Sequence, residues 1–406
     1  MKSAVGSDLG GTENTPLNTS WLRVAILFAA GCTSSFHIGK IPGALPALTT
    51  ELNLTLVSAA WLVSLFSVLS AVFGLLVSLV AGGSPRNAAV AGFTIAGLAS
   101  LVGSGLHSAV ALLISRSLEG VGWILIAITV PMLLATVSSV RDKPLVMGIW
   151  GAFLPVGMAL SLWVSPAVLA LSGWRMLWQL TGACSLLAGL VVWIIARRRV
   201  SSGARRWTWL EVRQTVLRPI PVLMFVCFFV YSAQFISLFS FLPTLLLEGY
   251  SIELALSAET VAIAIAFNVV GNVAAGWMLR RGSQASTLLL IAMIGCGVCA
   301  AIVFSQQFSL TVTVIAAIGF AATGGLVPGT LFALAQRVVA RPALAGIVLG
   351  LITQAAGIGQ LLGPPALATV VEWGGSWTHA ILVTTLVSLS GAICARRLAG
   401  LEEQNN

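Results

Sequence analysis

Twelve apolar segments, each long enough to cross a lipid bilayer, leave this chain of 406 residues little to fold into except a bundle of membrane helices. They fall at about 22–48, 57–81, 88–106, 109–137, 145–171, 176–196, 220–247, 257–279, 286–304, 310–336, 344–371 and 379–395. A hydrocarbon core of about 30 Å asks for roughly 20 residues of helix. The strands of a membrane barrel would be about 10 residues long with alternating polarity, so these lengths exclude one. Charge usage agrees, because 8% of the residues are charged where a soluble domain carries about 25%. A cytosolic enzyme, a secreted disulfide scaffold and a disordered regulator are excluded together. The six cysteines lie within apolar stretches, and the Cys296 to Cys299 spacing has no second ligand pair near it, so it reads as packing.

The net charge is +9, from 21 Lys and Arg against 12 Asp and Glu. In a soluble chain such an excess would suggest nucleic acid. In a membrane protein it reports orientation, since basic loops stay in the cytoplasm. With both termini inside, 18 of the 21 bases fall on the inner face. Residues 1–20 lack the order of a secretory signal and read as a cytoplasmic tail. Residues 197–219 carry seven arginines and read as a basic cytoplasmic linker. They separate a six-helix bundle at 21–196 from another at 220–398, followed by a second tail at 399–406.

The two halves share a register. Leu45-Pro46-Ala47-Leu48 with Glu51 recurs 197 residues later as Leu242-Pro243-Thr244-Leu245 with Glu248. The same offset pairs Gly74 with Gly271, Gly122 with Gly319, and Val130-Pro131 with Val327-Pro328. Prolines and glycines in matching helices mark bends and close approaches. The expected fold class is therefore all-α integral membrane, with twelve transmembrane helices in a pseudo-twofold 6+6 arrangement.

Three local patterns carry a family resemblance. Arg116-Ser117-Leu118-Glu119-Gly120-Val121-Gly122 in the fourth span has the form R-x-x-[QE]-G-x-G. Gly173-Trp174-Arg175 follows the fifth span, with Trp377 as its counterpart in the repeat, and Gly359 to Gly363-Pro364 in the eleventh reads G-x-x-x-G-P. On these patterns residues 20–398 resemble the major facilitator superfamily, and the run from His37 to Ala71 is most similar to its cyanate-permease-like branch. The resemblance implies a secondary transporter working by alternating access, without a cofactor, as a monomer in a bacterial inner membrane. One departure stands out. The loop after the second span ordinarily reads G-x-x-x-D-x-x-G-R, but here Ser78, Gly82, Pro85 and Arg86 take those places, and the latching carboxylate is missing.

The bases left over from the topology are Lys40, Arg116 and Arg175. Arg175 falls at the outer interface, where it is expected to anchor a turn. Lys40 and Arg116 fall within spans, where a cation costs about 2.5 to 3.5 kcal/mol near the helix centre. Thr33, His37 and Lys40 share one face of the first helix, and Arg116 and Glu119 are three apart on the fourth. One reading is a site for an anionic or polar solute, bound by His37, Lys40 and Arg116, with Glu119 and Arg116 coupling transport to protons. The other is a structural Arg116–Glu119 pair with Lys40 snorkelling to the outer interface. At the repeat offset these charges become Gln234, Ser237, Thr313 and Ala316, so the second half offers neutral contacts. Candidates are Tyr231, Gln234, Phe241, Asn268 and Asn272, with interhelical hydrogen bonding as the alternative for the asparagines.

Trp21, Trp61, Trp174, Trp193, Trp207, Trp209, Trp373 and Trp377 fall near span ends, as an interfacial belt would place them, whereas Trp123 and Trp150 do not. No phosphate loop, HExxH or GxSxG is present, which argues against an ATP-driven pump and a membrane enzyme. Two transport directions remain open: uptake of a small polar or anionic solute with protons, or proton-exchanged export of a drug, siderophore or similar product. The partners expected are that solute, protons and membrane lipid, and not nucleic acid.

Overall fold

The computed structural model of the chain describes residues 16–52, 56–81, 83–196, 208–251, 254–339 and 342–404. Among them every regular element is helical: α1 Trp21–Glu51, α2 Leu56–Ala81, α3 Pro85–Ser104, α4 Ala109–Val137, α5 Lys143–Gly151, α6 Phe153–Ile195, α7 Trp209–Val216, α8 Pro219–Tyr250, α9 Leu254–Ala266, α10 Asn268–Arg280, α11 Ala285–Ser305, α12 Leu310–Gly324, α13 Leu326–Ala335, α14 Pro342–Gly374 and α15 Ala380–Gln404, with a 3₁₀ turn at Trp377–His379. Most of the tail at 1–20, the arginine-rich stretch from Arg197 to Arg206, Trp207 and Arg341 lie outside the described residues.

Among the described residues eleven helical stretches are long and apolar enough to span a bilayer, one fewer than the sequence leads one to expect. The difference lies in one stretch of 53 residues, Lys143–Ile195. At 1.5 Å per residue it would be about 80 Å long if straight, far beyond one crossing. Gly173 interrupts it with φ 73° and ψ −177°, a conformation open essentially to glycine alone. The fifth and sixth spans are thus two crossings joined without a loop, and the count of twelve is recovered. Other spans are broken more gently, at Ala152, Phe267 and Gly325.

The repeat shows itself in a side-chain contact. Trp174 donates its indole N–H to Glu51 Oε2 at 2.6 Å, and Trp377 donates to Glu248 Oε2 at 2.9 Å. Each half therefore ties the C-terminal end of its first helix to the turn between its fifth and sixth. Arg175 completes the first knot by bonding Glu51 and approaching His107 Nδ1 at 3.0 Å, as an anchored turn requires. Trp174 is consequently buried instead of facing lipid. Trp21, Trp193, Trp209 and Trp373 are exposed, in keeping with a belt, whereas Trp150 is enclosed and stacks on Phe153 at 4.2 Å.

The two sets of helices press together at the end that carries Arg86, Asp142 and Arg280. A Cβ added to Gly148 would stand 2.6 Å from Asn272 O and from Gly276 Cα, so α5 and α10 touch backbone to backbone there. Nearer the middle of α2 and α14, Gln354 Nε2 donates to Ala71 O at 2.8 Å, and Ser67 Oγ donates to Gln360 Oε1 at 3.0 Å. Arg280 reaches Asp142 at 2.8 Å. Asp142 also accepts from Thr19 Oγ1 at 2.7 Å. A carboxylate thus bridges the halves from the α4–α5 loop, although the α2–α3 loop lacks one. Arg86 is occupied elsewhere, donating to Trp193 O from Nη2 at 2.5 Å and capping the end of α6.

Candidate functional site

Helix α4 holds Arg116 and Glu119 one turn apart, so both project toward α1 without any tertiary strain. Lys40 arrives from α1, and the three side chains meet. Glu119 Oε2 accepts from Arg116 Nη1, and Oε1 accepts from Lys40 Nζ at 2.8 Å. His37 Nδ1 stands 3.3 Å from Oε2 without the alignment of a hydrogen bond. All four side chains are at most 1% exposed.

The neighbours show how two cations are held in so dry a place. Lys40 Nζ also donates to Ser100 Oγ at 2.8 Å and Thr181 Oγ1 at 3.3 Å, and it lies 4.2 Å from the centroid of the Trp178 ring. Its three protons therefore all have acceptors, supplied by α3, α4 and α6. Arg116 donates to His37 O at 2.8 Å and lies 4.3 Å over the Phe66 ring of α2. Arg116 Nε and His37 Nε2 are buried with no partner. With His37 neutral, Lys40 and Arg116 against Glu119 leave one surplus positive charge. An uncompensated charge in a low-dielectric interior is costly, so this cluster is poised to gain an anion or lose a proton.

Lys40 does not snorkel to the outer interface; its ammonium turns inward onto Glu119. Sequence reasoning found the four charged or titratable members but missed Ser100, Thr181, Trp178 and Phe66. The hint was there in Ser100 and Thr181, hydroxyls within apolar spans, but pairing them with Lys40 requires knowing which faces of α3 and α6 meet α1.

The candidates of the second half separate into three places. Asn268 Nδ2 donates to Tyr231 OH at 2.9 Å and to Ala321 O at 3.0 Å. Asn272 Nδ2 donates to Asn268 Oδ1 at 2.9 Å, while Asn272 Oδ1 is buried without a partner against Gly151 of α5. These three residues form a buried polar chain across α8 and α10 that reaches α12 at Ala321 O. Gln234 stands apart from it: its Oε1 accepts from Ser388 of α15 at 3.1 Å, and its Nε2 is unpaired. Phe241 lies 5.6 Å from Trp377 between ring centroids.

Comparison with known proteins adds to this geometry. Residues 26–364 match the sequence profile of the Major Facilitator Superfamily. No curated protein matches the sequence significantly. Solved structures do resemble it in shape. The human organic anion transporter MFSD10 (TETRAN) superposes with a TM-score of 0.77 at 14% identity, covering 92% of this chain and 98% of that one. The E. coli fucose:proton symporter FucP gives 0.71 at 12% identity with the same coverage. The proton:xylose symporter XylE gives 0.69 at 16%, covering 92% of this chain and 93% of that one. At such identities the likeness speaks for the fold.

Proposed function

The chain belongs to the major facilitator superfamily, and from that premise we propose that it moves a small polar or anionic solute across the membrane by alternating access, coupled to protons. The observation that carries this reading is the surplus positive charge of the buried Lys40, Arg116, Glu119 and His37 cluster. An anion nearing Arg116 competes with Glu119 for the guanidinium, and Glu119, once released, takes a proton. Binding of each ligand then changes affinity for the other, which is the condition for coupling. Tyr231, Asn268 and Asn272 supply the neutral side of the pathway, and Gln234, whose carbonyl Ser388 holds, stands apart from it. The titles of the solved relatives, an organic anion transporter and two proton symporters, are compatible with this assignment.

On this reading the units are residues 21–196 and 220–398, with both termini and the basic linker in the cytoplasm of a bacterial inner membrane. The contacts among α2, α5, α10 and α14 then seal the cytoplasmic side, and transport requires them to part. The cyanate-permease-like run in the first two helices favours uptake. The Gly359 to Pro364 run, where a Cβ added to Gly359 would stand 3.0 Å from Ala233 N of α8, is the feature that favours an exporter instead. Counterflow in proteoliposomes with a panel of organic anions, sugars and amphiphilic drugs tests the proposal. Exchange of a polar or anionic solute that becomes uphill under an inward proton gradient supports uptake. Exchange confined to amphiphilic drugs, driven by an outward gradient, overturns it in favour of export.

A further inference from the structure

At the basic end of the second half two cavities adjoin. The larger, about 650 Å³, is lined by Arg218, Ser283, Gln284, Arg337 and Glu402 among others. The smaller, about 470 Å³, is a groove between the start of α8 and the end of α15, lined by Val222, Leu223, Gly400, Leu401 and Arg397. They share Pro219 and Leu401, so these two residues border both. The first is polar and cationic. Arg218 and Arg337 are exposed and carry no ion pair or side-chain hydrogen bond among the described residues. The single carboxylate in the lining, Glu402, is engaged, since Oε2 accepts from Ser286 Oγ at 2.6 Å and from Ser286 N at 3.2 Å. The second cavity has a largely aliphatic floor, with Val222 41% exposed. Just before Arg218, α7 presents exposed Trp209 and Leu210 beside Arg213, the side chains of an interfacial helix.

We propose that this pair of cavities is a binding site for one anionic phospholipid of the cytoplasmic leaflet. Arg218 and Arg337 receive the phosphate, and an acyl chain lies along Val222, Leu223 and Leu401. Charge complementarity selects the lipid class, and the adjoining apolar groove distinguishes a lipid from free phosphate. The inference rests on the proposed orientation, in which this end faces the cytoplasm. A lipid wedged between α8 and α15 braces the second half where it must move against the first.

Native mass spectrometry of the full-length protein in detergent tests this site, with phosphatidylglycerol, phosphatidylcholine or glycerol phosphate added. One phosphatidylglycerol should be retained in preference to phosphatidylcholine. Arg218→Gln with Arg337→Gln should weaken that binding about thirtyfold, from ~1 kcal/mol per basic residue. Arg141→Gln with Arg396→Gln, exposed arginines outside both cavities, should change it by less than about threefold. Leu223→Asn should weaken lipid retention and leave glycerol phosphate unaffected. Undiminished binding in the first double variant, or an equal loss in the second, overturns the proposal. Glycerol phosphate displacing the lipid at equal concentration also overturns it, in favour of a soluble phosphate site. Lipid retention is read without transport, so failure here and failure of the transport assay are separate results.

Discussion

Removing Lys40 and removing Glu119 should have unequal consequences for stability, although the two residues form one ion pair. With His37 neutral the buried cluster carries one surplus positive charge. Glu119→Gln raises that surplus to two and leaves both Lys40 and Arg116 without an anion. Breaking a buried pair from one side costs about 3 to 5 kcal/mol. Lys40→Met instead leaves a balanced Arg116–Glu119 pair. Ser100 keeps its bond to Trp178 O at 2.7 Å and Thr181 keeps its own at 3.2 Å, so no hydroxyl is orphaned. Glu119 Oε1 alone loses its donor, at a cost of about 1 to 3 kcal/mol. At roughly 2.1 cal/mol/K of unfolding entropy per residue, a chain of 406 residues converts 3 to 5 kcal/mol into a fall of about 4 to 6 °C. Lys40→Met should fall by the smaller amount of about 1 to 4 °C. Thermal unfolding of both variants in the same detergent, followed by tryptophan fluorescence, measures the difference. Equal losses would show that Lys40 contributes through packing, and the charge argument would fail.

Other consequences follow from the helix contacts. Gly148→Leu places a side chain where Asn272 O and Gly276 Cα already lie 2.6 Å from a Cβ, so α5 and α10 cannot close. Spin labels at the exposed Val140 and Arg281 should then move apart, and transport should stop; an unchanged distance with normal transport would refute the seal. Asp142→Asn removes a partly exposed bridge to Arg280 worth about 1 kcal/mol, which should shift the same distance distribution toward the open form by about fivefold. Gly173→Ala has open space for its Cβ but not for its backbone, so only conformational strain of about 1 to 3 kcal/mol should appear in the unfolding temperature. No loss at all would mean that the α6 bend tolerates an ordinary residue.

The spans, their number and the repeat were legible because they rest on long-range periodicity of apolar residues, which no local contact can disguise. Arg116 and Glu119 could be paired from spacing alone, since one helix places them. Lys40 could be placed near them by face and depth, yet its direction could not be read, because that depends on Ser100 and Thr181, which α3 and α6 bring to the same ammonium. Gln234 shows the same gap: its glutamine-for-histidine place in the repeat suggested a pathway residue, whereas its carbonyl is held by Ser388, 154 residues away. The missing carboxylate of the α2–α3 loop was visible in the sequence. That Asp142 bridges the halves at the same end was not, because an aspartate in a short loop looks the same whether or not an arginine faces it.

The central claim is that Glu119 exchanges a proton during transport, and a charge-balanced variant tests it. Lys40→Met combined with Glu119→Gln keeps the wild-type surplus of one positive charge, so it should fold where Glu119→Gln alone is strained. In proteoliposomes carrying an inward proton gradient, wild type should accumulate its solute. The double variant should exchange solute in counterflow yet fail to accumulate it. Accumulation by the double variant, with the pH dependence of wild type, would contradict the assignment of proton coupling to this cluster.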